Sequence, residues 1–208
     1  MKGSTQAWIA LIIFAIFGIV ADVIFVPHLL KKTVEAEEVI MDGDMPKNGD
    51  YVTIKVDTVI DPYIETTNTK NGVKTSANQG YMVLLDDNTV LSLTFSEKNL
   101  DKINKLCDEF WDYYDGKTDD YPSKVTFSGK FRKLPSDNRS YYDNALKDYG
   151  LTEANGFNVI YYDINTMSSR TTDLIIVIIG NIIILVCVIV IIVTAKKNQN
   201  PYGTGTAF

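Results

Sequence analysis

The sequence predicts a membrane α+β protein: two terminal transmembrane helices flanking a β-rich, OB-like domain with one or two short helices. Three observations carry that expectation. Residues 174–195, LIIVIIGNIIILVCVIVIIVTA, hold no charged side chain and are followed by Lys196 and Lys197. Residues 7–30 form another apolar run, the first in chain order, closed by Lys31 and Lys32. The polar middle carries short stretches of alternating apolar and polar residues, the period of half-buried strands. The expected divisions are a short tail at 1–6, a span at 7–30, a domain at 31–172, a span at 173–195 and a disordered tail at 196–208.

The second apolar run is rich in Ile and Val, which favour strands in water. In lipid, a lone apolar segment must satisfy its own backbone, so it has to be helical. At about 1.5 Å per residue its length suits a hydrocarbon core of roughly 30 Å. The first run follows a basic start (MKGSTQ), as a signal peptide does, but cleavage after Ala21 would put Ile19 where a small residue is needed. An uncleaved helix is the expectation, with Trp8 at one interface and Pro27 ending or kinking the other end. Two spans place both termini on one side. Flanking lysines and arginines are almost balanced; the short N-terminal tail and signal-like first segment favour cytoplasmic termini and an extracytoplasmic domain.

Each span holds one strongly polar residue, Asp22 in the first and Asn181 in the second. Counted from the shared membrane face, both lie at a depth of roughly 21–22 Å. An intramembrane carboxyl is costly and usually faces protein or water. The two are expected to hydrogen-bond in an antiparallel hairpin; the alternative is that Asp22 reaches the outer interface. Neither span has a GxxxG motif that would argue for tight homodimer packing.

Lysine and arginine number 20 against 26 acids, a net charge of −6, and the acidic excess lies in the middle of the chain. That balance argues against nucleic acid and anionic headgroups as ligands. Lys124, Lys130, Arg132 and Lys133 are the candidates for a local basic patch, read here as a solvated strand face. The two cysteines, Cys107 and Cys187, lie in different parts of the layout, so no disulfide framework is expected. A single histidine, His28, at the membrane edge, excludes the usual zinc spacings and a soluble Ser-His triad.

Along the domain, residues 35–41 have a weak strand pattern, 51–57 a clear one, and 62–80 read as a long polar loop with its tip at Asn71-Gly72. Residues 81–85 and 90–95 form a hairpin around a four-residue connection. After Ser96, a candidate N-cap, apolar residues recur at three- and four-residue steps to Tyr114, which predicts a helix stopped by Asp115-Gly116. Residues 124–132, KVTFSGKFR, alternate again, and Gly129 hints at a bulge or bend. A short helix after Pro135-Ser136 carries Tyr141, Tyr142, Ala145, Leu146 and Tyr149 and stops at Gly150; the last strand covers 157–164.

Five strands with a helix between the third and fourth is the order of an OB-type Greek-key barrel, with a small α+β sheet as the alternative. The layout, with the strands GDYVTIKVD, GYMVLLDDNTVL and VTFSGKFRKL, resembles a class of Gram-positive-type bacterial membrane proteins with a span at each end and a small β-rich domain between. No catalytic motif comes with that resemblance.

No G-x-S-x-G, P-loop, HExxH or GxGxxG is present. Asp108, Asp112 and Asp115 share a helix face but lack the ligand order of a calcium loop, so no metal and no cofactor is expected. Tyrosine is the remaining signal: twelve residues, with Tyr113-Tyr114, Tyr141-Tyr142 and Tyr161-Tyr162 as adjacent pairs. One member of each pair is expected in the core and one at the rim, and Tyr113, Tyr141 and Tyr161 with Asp112 are the candidates for a sugar- or peptide-binding surface. The expected role is a non-catalytic extracytoplasmic binding or scaffold module of the cell envelope. Its partners would be the lipid bilayer and a membrane or envelope protein, with no nucleic acid. An accessory subunit of a transport complex and, less favoured, a carboxylate-dependent envelope hydrolase are the alternatives.

Overall fold

In the computed structural model, which describes residues 2–70 and 72–199, helix α1 (Lys2–Leu29) takes up the first apolar run and continues through Pro27 for two more residues. The chain then forms one of two units, Lys31–Arg170; the other comprises the residues up to Leu30 and those from Thr171 onwards.

The central unit opens with β1 (Val34–Glu35) and a short helix α2 (Ala36–Met41). This corrects the strand expected at 35–41. Ala36 and Ile40, four residues apart, are both buried, a helical spacing that the neighbouring Val39 and Met41 obscure in the sequence. Next come β2 (Tyr51–Val56), β3 (Thr58–Lys70) and β4 (Val73–Leu84).

Most of the loop expected at 62–80 is therefore strand. β3 and β4 pair antiparallel from Thr58↔Leu84 out to Lys70↔Val73. β5 (Thr89–Ser96) pairs with β4 only between Asn78 and Leu84, so the outer part of the hairpin is a ribbon without that neighbour. A two-stranded ribbon has no core face to bury, so Thr and Asn occupy both sides and apolar alternation vanishes. Its strand signal was the run of β-branched threonines. Asn71, at the expected tip, lies outside the described residues.

The β4–β5 hairpin turns with Asn88 at φ 64°. A 3₁₀ turn at Glu97–Asn99 leads into α3 (Asp101–Tyr114), whose Ile103, Leu106 and Cys107 are buried. Ser96 makes no side-chain capping bond, because this extra turn separates it from α3. Then follow β6 (Val125–Lys133), α4 (Ser136–Asp148), which stops at Gly150 with φ 69°, and β7 (Asn158–Asn165). Helix α5 (Arg170–Gln199) takes up the second apolar run. The expected tail from 196 is thus helical as far as Gln199, and its remainder lies outside the described residues.

The strands form one mixed sheet in the order β1-β2-β6-β7-β5-β4-β3. β2 pairs with β6 and β3 with β4, yet β2 and β3 follow each other with only Asp57 between them. β5 and β7 run parallel, and β6 and β7 antiparallel. The expected five strands become seven because β3 hides in polar sequence and β1 is two residues long.

Gly129 is not a bulge: β6 keeps regular register with β2 there, and its pairing with β7 begins at the next residue, Lys130. It is a point of close approach, since a Cβ would stand 2.6 Å from the Asn165 carbonyl oxygen. The main core gathers Val52, Ile54, Val56, Leu91, Leu93, Phe131 and Ile164 with α3. A second cluster places Tyr142 and Leu146 of α4 against Ile60, Tyr63 and Met82.

In the other unit, α1 and α5 each contain a segment long and apolar enough to cross a membrane, Leu11–Leu29 and Arg170–Thr194. They meet at Gly18 and Gly180. A Cβ on Gly180 would be 3.5 Å from Gly18 Cα, and one on Gly18 would meet the Ile184 side chain at 2.7 Å. Ala21 is buried beside this crossing, and Cys187 is buried two turns further along α5. Small residues let the two backbones approach without a side chain intervening.

Candidate binding site

The central unit carries an open groove of about 660 Å³ between β3 and the start of α4. One wall is Glu65, Thr66 and Thr67; the other is Asp137, Asn138 and Tyr141, and Tyr63 lines it as well. Tyr141 is 55% exposed, whereas its neighbour Tyr142, about 100° further round the helix, is fully buried. None of the lining residues is basic. Ring, hydroxyl, amide and carboxylate together suit a neutral ligand rich in hydroxyl groups, which stacks on the ring and donates to the carboxylates.

Beneath the groove runs a chain of buried polar contacts. Asp163 on β7 is fully buried and stands opposite Ser92 on one side and Arg132 on the other. Its Oδ1 accepts from Ser92 Oγ at 2.9 Å and Thr94 Oγ1 at 2.8 Å. Its Oδ2 accepts from Arg132 Nε and Nη2, both at 2.7 Å. Since Ser92 spends its proton on Asp163, the Tyr63 hydroxyl 2.8 Å away must be the donor to Ser92. Burial pushes the Tyr63 phenol up to about 12. Burial also raises the Asp163 carboxyl above its ordinary value, opposed by the Arg132 charge and the hydroxyl and guanidinium donors. The network joins four strands, β3, β5, β6 and β7, and ends at the groove.

The four expected surface residues do not converge. Tyr141 lines the groove. Tyr161 lines a different hollow with Asp143, Lys147 and Glu153, under the guanidinium of Arg139 at 4.2 Å. Asp112 borders a third, with Asp120 and Tyr121, and Tyr113 packs edge-on to Tyr121 at 4.9 Å. The pairing rule holds for Tyr141-Tyr142 but fails for Tyr113-Tyr114, which are 39% and 70% exposed. Both face outward because they close the last turn of α3, beyond the stretch covered by the sheet.

The acidic face of α3 is occupied: Lys117 Nζ lies 2.9 Å from Asp112 and 3.1 Å from Asp115. No group of metal-holding side chains occurs among the described residues. Three of the four basic candidates are also engaged. Lys124 bridges Glu37 and Asp86 at 2.8 Å each, Arg132 serves Asp163, and Lys130 lies over the Tyr51 ring.

Between the apolar helices, Asn181 Nδ2 donates to Asp22 Oδ1 at 2.8 Å and to the Val177 carbonyl at 2.9 Å. The equal depth counted along the two helices thus ends in a contact, one turn from the Gly18–Gly180 crossing.

Residues 4–196 match the model of a family described as a domain of unknown function, DUF8577. The chain belongs to the DUF8577 family. No curated protein and no solved structure matches it. The DUF8577 match runs through both apolar helices as well as the sheet, so the helix–domain–helix layout is part of the family pattern. Sequence reasoning missed the β3 wall of the groove and the partners of Asp163. The available signal was the threonine run ETTNT, which favours strand even without alternation.

Proposed function

We propose that this DUF8577 chain is a non-catalytic, membrane-anchored binding module that holds a glycan segment of the cell envelope in the groove between β3 and α4. In this reading α1 and α5 lie in the bilayer, both termini are cytoplasmic and the domain is extracytoplasmic. The observation that carries it is the groove itself: an exposed Tyr141 ring opposite Glu65, Thr66 and Thr67, with Asp137 and Asn138 beside it. An acidic, cation-free lining selects against polyanions and favours hydroxyl donors.

An OB-like closure is part of the proposal. Its support is chain continuity, since β3 at one end of the ladder and β2, second from the other end, are joined by a single residue. Greek-key barrels of that type bind ligands on a sheet face flanked by loops, and the groove has a comparable position beside the β3–β4 hairpin and the β6–β7 connection.

The test is a calorimetric titration of the full chain in phosphatidylcholine vesicles with chito-oligosaccharides. Saturable binding weakened at least tenfold by Tyr141→Ala is expected; binding unchanged by that substitution removes the groove from the reading. Sidedness is tested with Thr69→Cys in a Cys107→Ser background, using an impermeant maleimide on intact cells. Labelling is expected, and protection until lysis would place the domain inside.

A further inference from the structure

The Asp22–Asn181 contact is incomplete. An amide nitrogen has two hydrogens, and Asn181 spends one on Asp22 Oδ1 and the other on the Val177 carbonyl. Among the described residues, Asp22 Oδ2 and Asn181 Oδ1 are left with no donor. Asp22 stands seven residues before the end of its apolar segment, roughly 10 Å inside it. In hydrocarbon an acceptor without a donor is costly, and a carboxylate more so.

A second copy of this chain does not supply the missing donor. Within residues 11–27 the sole polar side chain is Asp22, and within 174–193 there are Asn181, whose hydrogens are spent, and Cys187. Cys187 is 4% exposed, and its thiol is a weak donor. With Asp22 as the carboxylate, two copies would bring acceptor against acceptor and charge against charge. The polar spot therefore asks for a donor that this sequence lacks at that depth, and the carboxyl makes a cation the best match.

We infer that the α1–α5 hairpin docks a transmembrane helix of a different protein, one that carries a lysine or arginine level with Asp22. This rests on the reading of α1 and α5 as membrane-spanning. The basic side chain reaches Asp22 Oδ2 and Asn181 Oδ1 from the lipid side, while the Gly18–Gly180 crossing keeps the two helices of the hairpin together. The groove on the domain is not needed for this contact.

The experiment uses the full chain, fluorescently labelled, in phosphatidylcholine vesicles with two synthetic polyleucine transmembrane peptides. One carries a single central lysine and the other is all leucine; association is read by energy transfer. The lysine peptide is expected to associate at least tenfold more tightly. Asp22→Asn keeps an acceptor for Asn181 but removes the charge, and should reduce the lysine peptide to the level of the leucine peptide. Asp22→Glu should retain most of the preference, which separates a charge requirement from a damaged hairpin. Equal association of both peptides with the wild-type chain, or an undiminished preference in Asp22→Asn, overturns the inference. Self-association stronger than association with the lysine peptide overturns it in favour of a second copy. An alkaline carbonate wash separates the two levels: release of the chain overturns anchoring and docking together, whereas retention without lysine preference overturns docking alone.

Discussion

The Tyr63 phenol lies against the bare face of Gly80 and ends 2.8 Å from Ser92 Oγ, one strand further across the sheet. Gly80 pairs with Ile64 on one side and Thr94 on the other, so the ring of Tyr63 has to pass over β4 to reach β5. The groove and the buried Asp163 are linked through that passage.

A methyl group at position 80 would meet the Tyr63 ring at 2.8 Å. Gly80→Ala should therefore displace the ring, break the bond to Ser92 and cost about 1–3 kcal/mol. Thermal unfolding of the full chain in detergent, followed by near-ultraviolet circular dichroism, reads both the midpoint and the tyrosine environment. An unchanged tyrosine signal in this variant would contradict the account of Gly80.

Arg132 and Asp163 form the second test. Arg132→Met leaves a fully buried carboxylate without its countercharge and should cost about 3–5 kcal/mol. The double variant Arg132→Met, Asp163→Leu removes both charges and should recover much of the loss, since apolar replacement of a buried pair is often close to neutral. Urea titration followed by tryptophan fluorescence compares the single and double variants. A double variant as unstable as the single one would mean that Ser92 and Thr94, not Arg132, carry the contact.

Gly129 should be less forgiving than Gly80. The clash there, at 2.6 Å, is with the backbone carbonyl of Asn165, which cannot rotate away as a side chain does. Gly129→Ala should cost about 3 kcal/mol or more by parting β6 from β7. Amide hydrogen exchange should show the loss of protection first between Lys130 and Lys133, the residues of β6 paired with β7.

Alkaline pH should unfold the domain through its phenols. Burial is the leading cause that raises Tyr63, Tyr81 and Tyr149 to about 12, and it holds Tyr142 well above its ordinary value. A group whose folded value lies above the unfolded one, near 10, contributes stability below pH 10 and loses it as pH rises toward 12. For the buried Tyr63 the loss across that window is about 2–3 kcal/mol. Absorbance at about 295 nm should show a fast-titrating set of tyrosines near pH 10 and a second set that ionises only with unfolding. Thiol alkylation of Cys107, itself raised to about 11 chiefly by burial, should accelerate with the second set.

Where a segment buries one face, its pattern was legible. β2, β6, β7 and α3 each cover the core on one side, and their alternation or helical spacing shows in the sequence; β5, buried on both faces, still sets Leu91, Leu93 and Phe95 on one of them. The outer parts of β3 and β4 were not legible, because a ribbon rich in polar residues on both faces has little alternation to display. The same omission hid half of the groove: Glu65, Thr66 and Thr67 become a wall only when β3 is a strand beside α4. The three exposed tyrosines were found one by one, but nothing in their spacing told that α4 would turn Tyr141 and the Tyr161 side toward separate hollows.

The sequence by itself determined what depends on short-range regularity: the two apolar helices, the alternating strands, the helix stops at Gly116 and Gly150, and the matched depth of Asp22 and Asn181. That depth follows from a constant rise per residue, so counting suffices. Tertiary structure alone decided which strands are neighbours. It set Asp163 between Ser92 and Arg132, brought Gly129 against Asn165, and drew Tyr63 over Gly80. These contacts join residues far apart in the chain, and their partners are chosen by the order of strands in the sheet, which no local period encodes.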